Sequence, residues 1–389
     1  MSFRYFNISL NFLFLIISFV YILLGTFYSI DVFKPVVLFL FIFFLVINIL
    51  LVVRSVVFKK IIINNKIMFV LFLFSFISMV FSCIYNMSIE LFLGVLNFLF
   101  LFLFFSLHYS KYKIYQIFDI SIKSLFILLT FLNFISGFSI PFKGIFSNPN
   151  SLGGLYATIS LIGSGVFIDK YKDVGKTDYF ILIIIIMSLI FSLLSNSRIA
   201  FVLSVICFIF AVVIRFGNFI KVVNKNIFFN YKRLLIILSI FFGIFFLVKL
   251  NFQYISDIFL SKFFYKLDND NFSAGRSEVW QSILDNMSIF GHARHSLHLE
   301  SLGLAAHNTF MSILDQFGYI SALFFILGCS VCLMIYAKFS VIRKYGYLPF
   351  FIVIGFVSMS ISESMINKTI MFCLLMILNL KSYQFLERK

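Results

Sequence analysis

Polar side chains are scarce in this sequence, and those that stand at the starts of apolar runs have the types that acid–base and phosphate chemistry needs. His307 precedes Asn308 and a long apolar run. A neutral imidazole there takes a proton from a hydroxyl; the plain alternative is a polar residue at a membrane interface. Arg198 follows Ser195-Asn196-Ser197 and opens another apolar run. Capping does not explain Arg198, because a cation in the first turn opposes the helix dipole. Its alternative is snorkelling to lipid headgroups. Arg276 heads a short amphipathic segment and either meets an anion or stacks on Trp280, four residues on.

The run Ser147-Asn148-Pro149-Asn150-Ser151-Leu152-Gly153-Gly154 marks a third helix start. Helix starts present free N–H groups and a partial positive charge, so Asn148, Asn150, Ser197 and Asn308 are candidates to line an anion pocket. N-capping accounts equally for Asn150, Ser195 and Ser197. Gly153 and Gly154 read as close helix packing. Glu363, near the end of a late apolar run, either orients an Arg or His of the site or pairs with Lys368. Asp119 and Lys123, four apart, read as a local ion pair.

His292-x-x-His295-x-x-His298 has a metal-like spacing, but no Cys stands near it and no carboxylate is fixed beside it; a solvated loop is the better reading, and no metal is expected. Cys329-x-x-Cys332 lies in an apolar run and reads as two small side chains, not a redox pair. Asp268-Asn269-Asp270-Asn271 begins like a calcium loop but lacks the Glu at the twelfth position, and reads as a turn.

The elements that position these residues follow from composition. Hydrophobic residues make up 62% of the 389, Phe alone supplies 60, and charged residues are 12%. A water-soluble fold has too little interior to hide such a surface. Disordered and disulfide-scaffold classes are excluded with it. A membrane β-barrel would alternate apolar and polar residues, whereas here the apolar runs are unbroken. The fold class is an all-α polytopic membrane protein, forming one integral membrane domain over 1–389. Twelve spans are expected, at 9–29, 35–53, 67–85, 89–107, 117–137, 151–168, 179–194, 199–216, 233–250, 307–336, 348–366 and 369–385. The first is followed by further spans and is not a cleaved signal.

The net charge is +16. Nucleic acid is not the expected partner, because basic residues collect in cytoplasmic loops and fix orientation. With a cytoplasmic N-terminus, 21 Lys and Arg fall in inside segments, against four in the short outside loops: Lys34, Lys143, Arg198 and Lys368. Both termini are then cytoplasmic. The starts of the sixth, eighth and tenth spans share the outer face with one large loop, 251–306. Within that loop Phe252 to Leu267 reads as a helix on the membrane surface. Ser273 to Met287 reads as a helix with Trp280, Ile283, Leu284 and Met287 as its apolar stripe.

Taken in order, several motifs resemble one family. They are Gly144-Ile-Phe-Ser-Asn-Pro-Asn-Ser-Leu-Gly153, Ser195-Asn-Ser-Arg198, Ala274-Gly-Arg276 with Trp280 and Gly291, and His307-Asn308 with Gly318. The order is similar to that of the O-antigen polymerase and O-antigen ligase family, over about residues 140–325. The resemblance implies a GT-C-like glycosyltransferase with about 12 transmembrane helices and a large periplasmic loop, in a bacterial inner membrane. It implies undecaprenyl-pyrophosphate-linked oligosaccharide as substrate, no cofactor, and a chain-length-regulating co-polymerase as a further partner. It assigns the outer-face arginines to Arg198 and Arg276, and the catalytic histidine to His307. Ser321 departs from the ligase-type pattern, which has Gly, Thr or Tyr there. Polymerase and ligase both stay open; a transporter is the third reading, and it calls for inverted repeats and broken helices with charges near the midplane, neither of which is expected from this sequence.

Overall fold

The structure is a computed structural model. It describes residues 16–28, 30, 33–57, 65–108, 114–137, 141–146, 148–170, 179–195, 197–223, 276–292, 306–341, 346–366 and 368–378. The expected span 233–250, the surface helix Phe252 to Leu267, the turn at Asp268 and the residues His295 and His298 lie outside them.

Among the described residues there are twelve helices and no strand. They are α1 (Ile16–Phe27), α2 (Lys34–Val57), α3 (Lys66–Tyr85), α4 (Ile89–His108), α5 (Ile114–Ile135) and α6 (Pro149–Lys170). Then follow α7 (Tyr179–Leu194), α8 (Arg198–Val223), α9 (Arg276–Asp285), α10 (Thr309–Val341), α11 (Leu348–Ser362) and α12 (Thr369–Ile377). Six of these are long and apolar enough to cross a membrane, and four more are shorter apolar helices. The molecule is a helical membrane protein. Apart from 233–250, every expected span overlaps one of these helices.

The centre of the bundle is α6, which packs on α5, α7, α8, α11 and α12. It is the least hydropathic of the six long helices and the most buried. Small side chains are the reason. A Cβ on Gly163 would lie 2.9 Å from Ile185 of α7, and one on Gly165 would lie 2.6 Å from the Leu348 Cα of α11. Without an aqueous phase to drive helices together, such close approach holds membrane helices by van der Waals contact. The outer helices reverse the pattern: α2 exposes Phe39, Phe43 and Leu50, an apolar face suited to lipid.

The ends of α6 fix α11. At one end, the Asp169 carboxylate accepts from the Tyr347 and Leu348 N–H groups at 2.7–2.8 Å, which caps α11 from a neighbouring helix. At the other end, Asn150 reaches Glu363, just past the last turn of α11.

The span expected at 307–336 is broken. In α10 Gly318 has φ 84° and ψ 174°. A Cβ there would collide with the Ile289 carbonyl. The segment 288–292 lodges against the break and satisfies its backbone: His292 N–H donates to Asp315 O at 2.8 Å, and Tyr319 N–H donates to Ser288 O at 3.1 Å. Ser82 of α3 and Asn86, just past its end, donate to the Phe290 carbonyl. The break therefore lies level with the end of α3, not halfway along it.

The loop helix ends at Asp285, two residues before Met287, while 273–275 lie outside the described residues; its buried face differs from the expected stripe. Val279 and Ile283 are buried with Trp280 against them, while Leu284 and Met287 are exposed. Asp119 and Lys123 pair at 3.1 Å.

Candidate functional site

Glu363 ends α11 in an extended conformation, φ −146° and ψ 156°. Helix ends leave carbonyls without intrahelical donors, and cations favour that end of the dipole. Here the donors come from other elements. From α9, Arg276 Nη1 donates to the Ser362 carbonyl at 3.1 Å. At the start of α10, Asn308 Nδ2 donates to the Ile361 carbonyl at 3.2 Å, and Thr309 Oγ1 donates to Glu363 O at 3.1 Å.

The Glu363 carboxylate gathers three side chains. Asn150 Nδ2 donates to Oε1 at 3.2 Å. Arg276 Nη2 lies 3.9 Å from Oε1, an ion pair longer than a hydrogen bond. His307 Nδ1 lies 3.4 Å from Oε2. Residues from α6, α9 and the start of α10 thus meet on one carboxylate at the end of α11. Arg276 serves this junction and forms no stack on Trp280 among the described contacts.

His307 has φ +45°, a left-handed conformation that a residue with a Cβ rarely adopts. Its neighbours hold it there. Asn308 Oδ1 accepts from the Phe310 and Met311 N–H groups at 2.8 and 3.1 Å, which caps α10. On the other side, Trp280 Nε1 donates to the Ala306 carbonyl at 2.9 Å, and Ala306 packs on Val279 and Ile283. The ring itself is 44% exposed, so the strained residue keeps an accessible imidazole. Strain held in this way clusters at functional sites.

Beside this junction a cleft of about 430 Å³ opens between α1, α4, α6, α10, α11 and α12. His307, Glu363, Asn148 and Asn150 line its polar part, and Leu91, Val95 and Phe98 of α4 line an apolar part. A Cβ on Gly94 or Gly154 would meet nothing within 4 Å; both positions face open space. Asn148 Oδ1 accepts from the Asn150 N–H at 2.8 Å, the local cap of α6.

The start of α8 is placed differently. A Cβ on Gly153 would collide with Ser195 and Ser197, so Ser197 sits tight against α6. Arg198, the first residue of α8, is partly exposed and is not among the residues that line the cleft. Arg276 is not among those residues either; what sets it apart is its contact with the Ser362 carbonyl and the Glu363 carboxylate. His292 Nε2 donates to Asn286 O at 3.0 Å, and among the described residues no three His, Cys, Asp or Glu side chains cluster as a metal site would require.

Compared with known family models, curated proteins and solved structures, the chain matches none.

Three further cleft residues carried no sequence signal, and a fourth, Lys368, stood out only as an alternative partner for Glu363. Lys368 reads as an ordinary loop cation, yet its Nζ donates to Ser151 Oγ at 3.2 Å inside the cleft. Thr26 and Thr369 share a hydrogen bond at 3.0 Å across α1 and α12, and Gln316 lines the α10 side. Only a polar residue inside an apolar run marks them, and this chain has many of those.

Proposed function

We propose that this protein is a surface polysaccharide polymerase of the O-antigen type, a GT-C-like glycosyltransferase with about 12 transmembrane helices. It joins undecaprenyl-pyrophosphate-linked oligosaccharide repeat units on the periplasmic side of a bacterial inner membrane, with both termini cytoplasmic. One observation carries the reading: Glu363 draws together Asn150, Arg276 and His307, which come from three separate segments of the ordered motif set.

The chemistry follows from that junction. With the Nδ1 proton of His307 directed to Glu363, Nε2 is the basic nitrogen. It takes the proton of the acceptor hydroxyl as that oxygen attacks the glycosidic carbon of the donor. The bond from that carbon to the pyrophosphate breaks, and the pyrophosphate leaves with the electron pair. Arg276 has five N–H donors and gives one to Ser362, which leaves others for the pyrophosphate oxygens. Its charge offsets the negative charge that grows on the leaving group. Arg198, beyond the α6 wall, acts as an outer contact for the same anion. Asn148 and Asn150, which line the cleft, contact the substrate, while Asn308 and Ser197 hold the helix starts in place. No step calls on a metal or cofactor.

Ligation of finished polymer to a lipid acceptor would use the same residues. Transport is the weaker alternative. The break in α10 is what a transporter would have, but it lies level with the end of α3 and is filled by backbone from 288–292. A deletion strain tests the reading. A polymerase predicts loss of the surface polysaccharide ladder with single repeat units still attached to their acceptor. Long chains left on the polyprenyl carrier would instead mean ligation, and an intact ladder would overturn both.

A further inference from the structure

We infer that the segment 288–292 is a positioning strap: seated in the break of α10, it holds the loop helix α9, and with it Arg276, against the end of α11. The inference rests on the polymerase reading for what Arg276 does, and deepens it by naming what brings that side chain to the site. Tyr319 and Asp315 are four residues apart, so in an unbroken α10 the Tyr319 N–H would donate to the Asp315 carbonyl. The strap takes both halves of that one bond. Asp315 O accepts from the His292 N–H at 2.8 Å, and the Tyr319 N–H donates to Ser288 O at 3.1 Å. A continuous helix would satisfy both groups without help. The break exchanges that local bond for two bonds to the chain that carries α9.

Backbone meets backbone here, and two glycines permit it. Gly318 has φ +84° and Gly291 φ +64°, conformations that disfavour a side chain. A Cβ on Gly291 would lie 2.5 Å from the backbone of Gln316 and Phe317, and one on Gly318 would collide with the Ile289 carbonyl. The end of α3 closes on the strap as well. Asn86 Nδ2 donates to the Phe290 and Gly291 carbonyls at 3.1 and 3.3 Å, and Ser82 Oγ donates to Phe290 O. The ring centroids of Tyr85 and Phe290 lie 4.8 Å apart. By contrast, α9 has ten residues and buries only Val279 and Ile283, with Trp280 Nε1 tying it to Ala306 O. A helix that short depends on its surroundings for its place. It is a rod of about 15 Å with the strap beyond one end and Arg276 at the other. A shift at the strap displaces the guanidinium, and about 1 Å at a reacting group costs up to about 10²-fold in rate.

The test uses the full-length protein in nanodiscs and two variants that leave Arg276 in place. Gly318→Ala favours a continuous α10 and excludes Ile289, whereas Asn86→Ala removes a donor to the strap and leaves α10 alone. Trp280, the sole tryptophan, reports α9 directly. Its emission is expected to move to longer wavelength in both variants, further in Gly318→Ala, as the indole leaves Ala306 for water. Polymerisation should fall about ten- to hundredfold in Gly318→Ala and about two- to tenfold in Asn86→Ala. The deciding readout is a cycle with Arg276→Lys. A strap that acts through Arg276 costs less than about twofold when its loss is added to Arg276→Lys, because the guanidinium it positions is already gone. Effects that multiply would place the action of the strap elsewhere and overturn the inference, and so would unchanged Trp280 emission in both variants. Thermal melting checks the fold; if Gly318→Ala does not fold, Asn86→Ala carries the same readouts. A wild type that forms no polymer overturns the polymerase reading, and Trp280 emission still decides whether the strap holds α9.

Discussion

The start of α8 and the start of α9 each present an arginine, and the two are held in different ways. Arg276 of α9 reaches the end of α11, where a carbonyl and a carboxylate fix its guanidinium beside His307. Arg198 of α8 follows Ser197, whose contact is with the backbone of α6 at Gly153. At the α9 start charge and hydrogen bonds gather on the end of α11; at the α8 start Ser195 and Ser197 close on Gly153 with no room for a methyl group.

The largest test of that contrast removes the base. His307→Ala is expected to lower polymerisation about 10²- to 10⁴-fold, while Ser197→Ala changes it little. Glu363→Gln should fall between them, about ten- to hundredfold down, because a neutral amide holds neither the imidazole nor the guanidinium as a carboxylate does. Ladder synthesis at matched protein levels measures all three. Equal losses for His307→Ala and Ser197→Ala would erase the distinction.

Next comes the pair of arginines. Lys keeps the charge but not the planar fork. Arg276→Lys is expected to cost about ten- to hundredfold in rate, against about tenfold or less for Arg198→Lys. The reverse order would make Arg198 the principal contact for the leaving group.

The smallest catalytic effect and the largest structural one belong to the seam. Gly153→Leu pushes α6 away from Ser195 and Ser197, and overpacking of this kind costs about 1–3 kcal/mol. A lowered melting temperature and protein yield should report it, with activity per folded molecule reduced far less than in His307→Ala. Normal melting would mean the helices tolerate the wider spacing.

The spans were legible because long apolar runs leave few alternatives in a chain this hydrophobic. Their arrangement was not. Hydropathy ranks α6 last among the long helices, yet α6 is the hub, because its small residues trade hydrophobicity for close approach. Gly318 was visible, with Asp315 and Gln316 just before it, but not the break it makes; Ile289 and Gly291, which pack on it, lie in a loop segment far from it in sequence. Glu363 was visible as a membrane carboxylate. That it joins Asn150 to His307 and Arg276 needed distances between residues as much as 213 positions apart. Nothing local separates Arg198 from Arg276, since each opens a helix behind a polar stretch.

The central claim is that the His307–Glu363–Arg276 junction transfers glycosyl groups between lipid-linked oligosaccharides. Purified protein in nanodiscs, given only undecaprenyl-pyrophosphate-linked repeat units, tests it most directly. The account predicts a ladder of longer lipid-linked chains, with one undecaprenyl pyrophosphate released per bond formed, and no ladder from His307→Ala. A wild-type protein that folds and binds the substrate but forms no longer chain, or a His307→Ala protein that forms them at the wild-type rate, would contradict it.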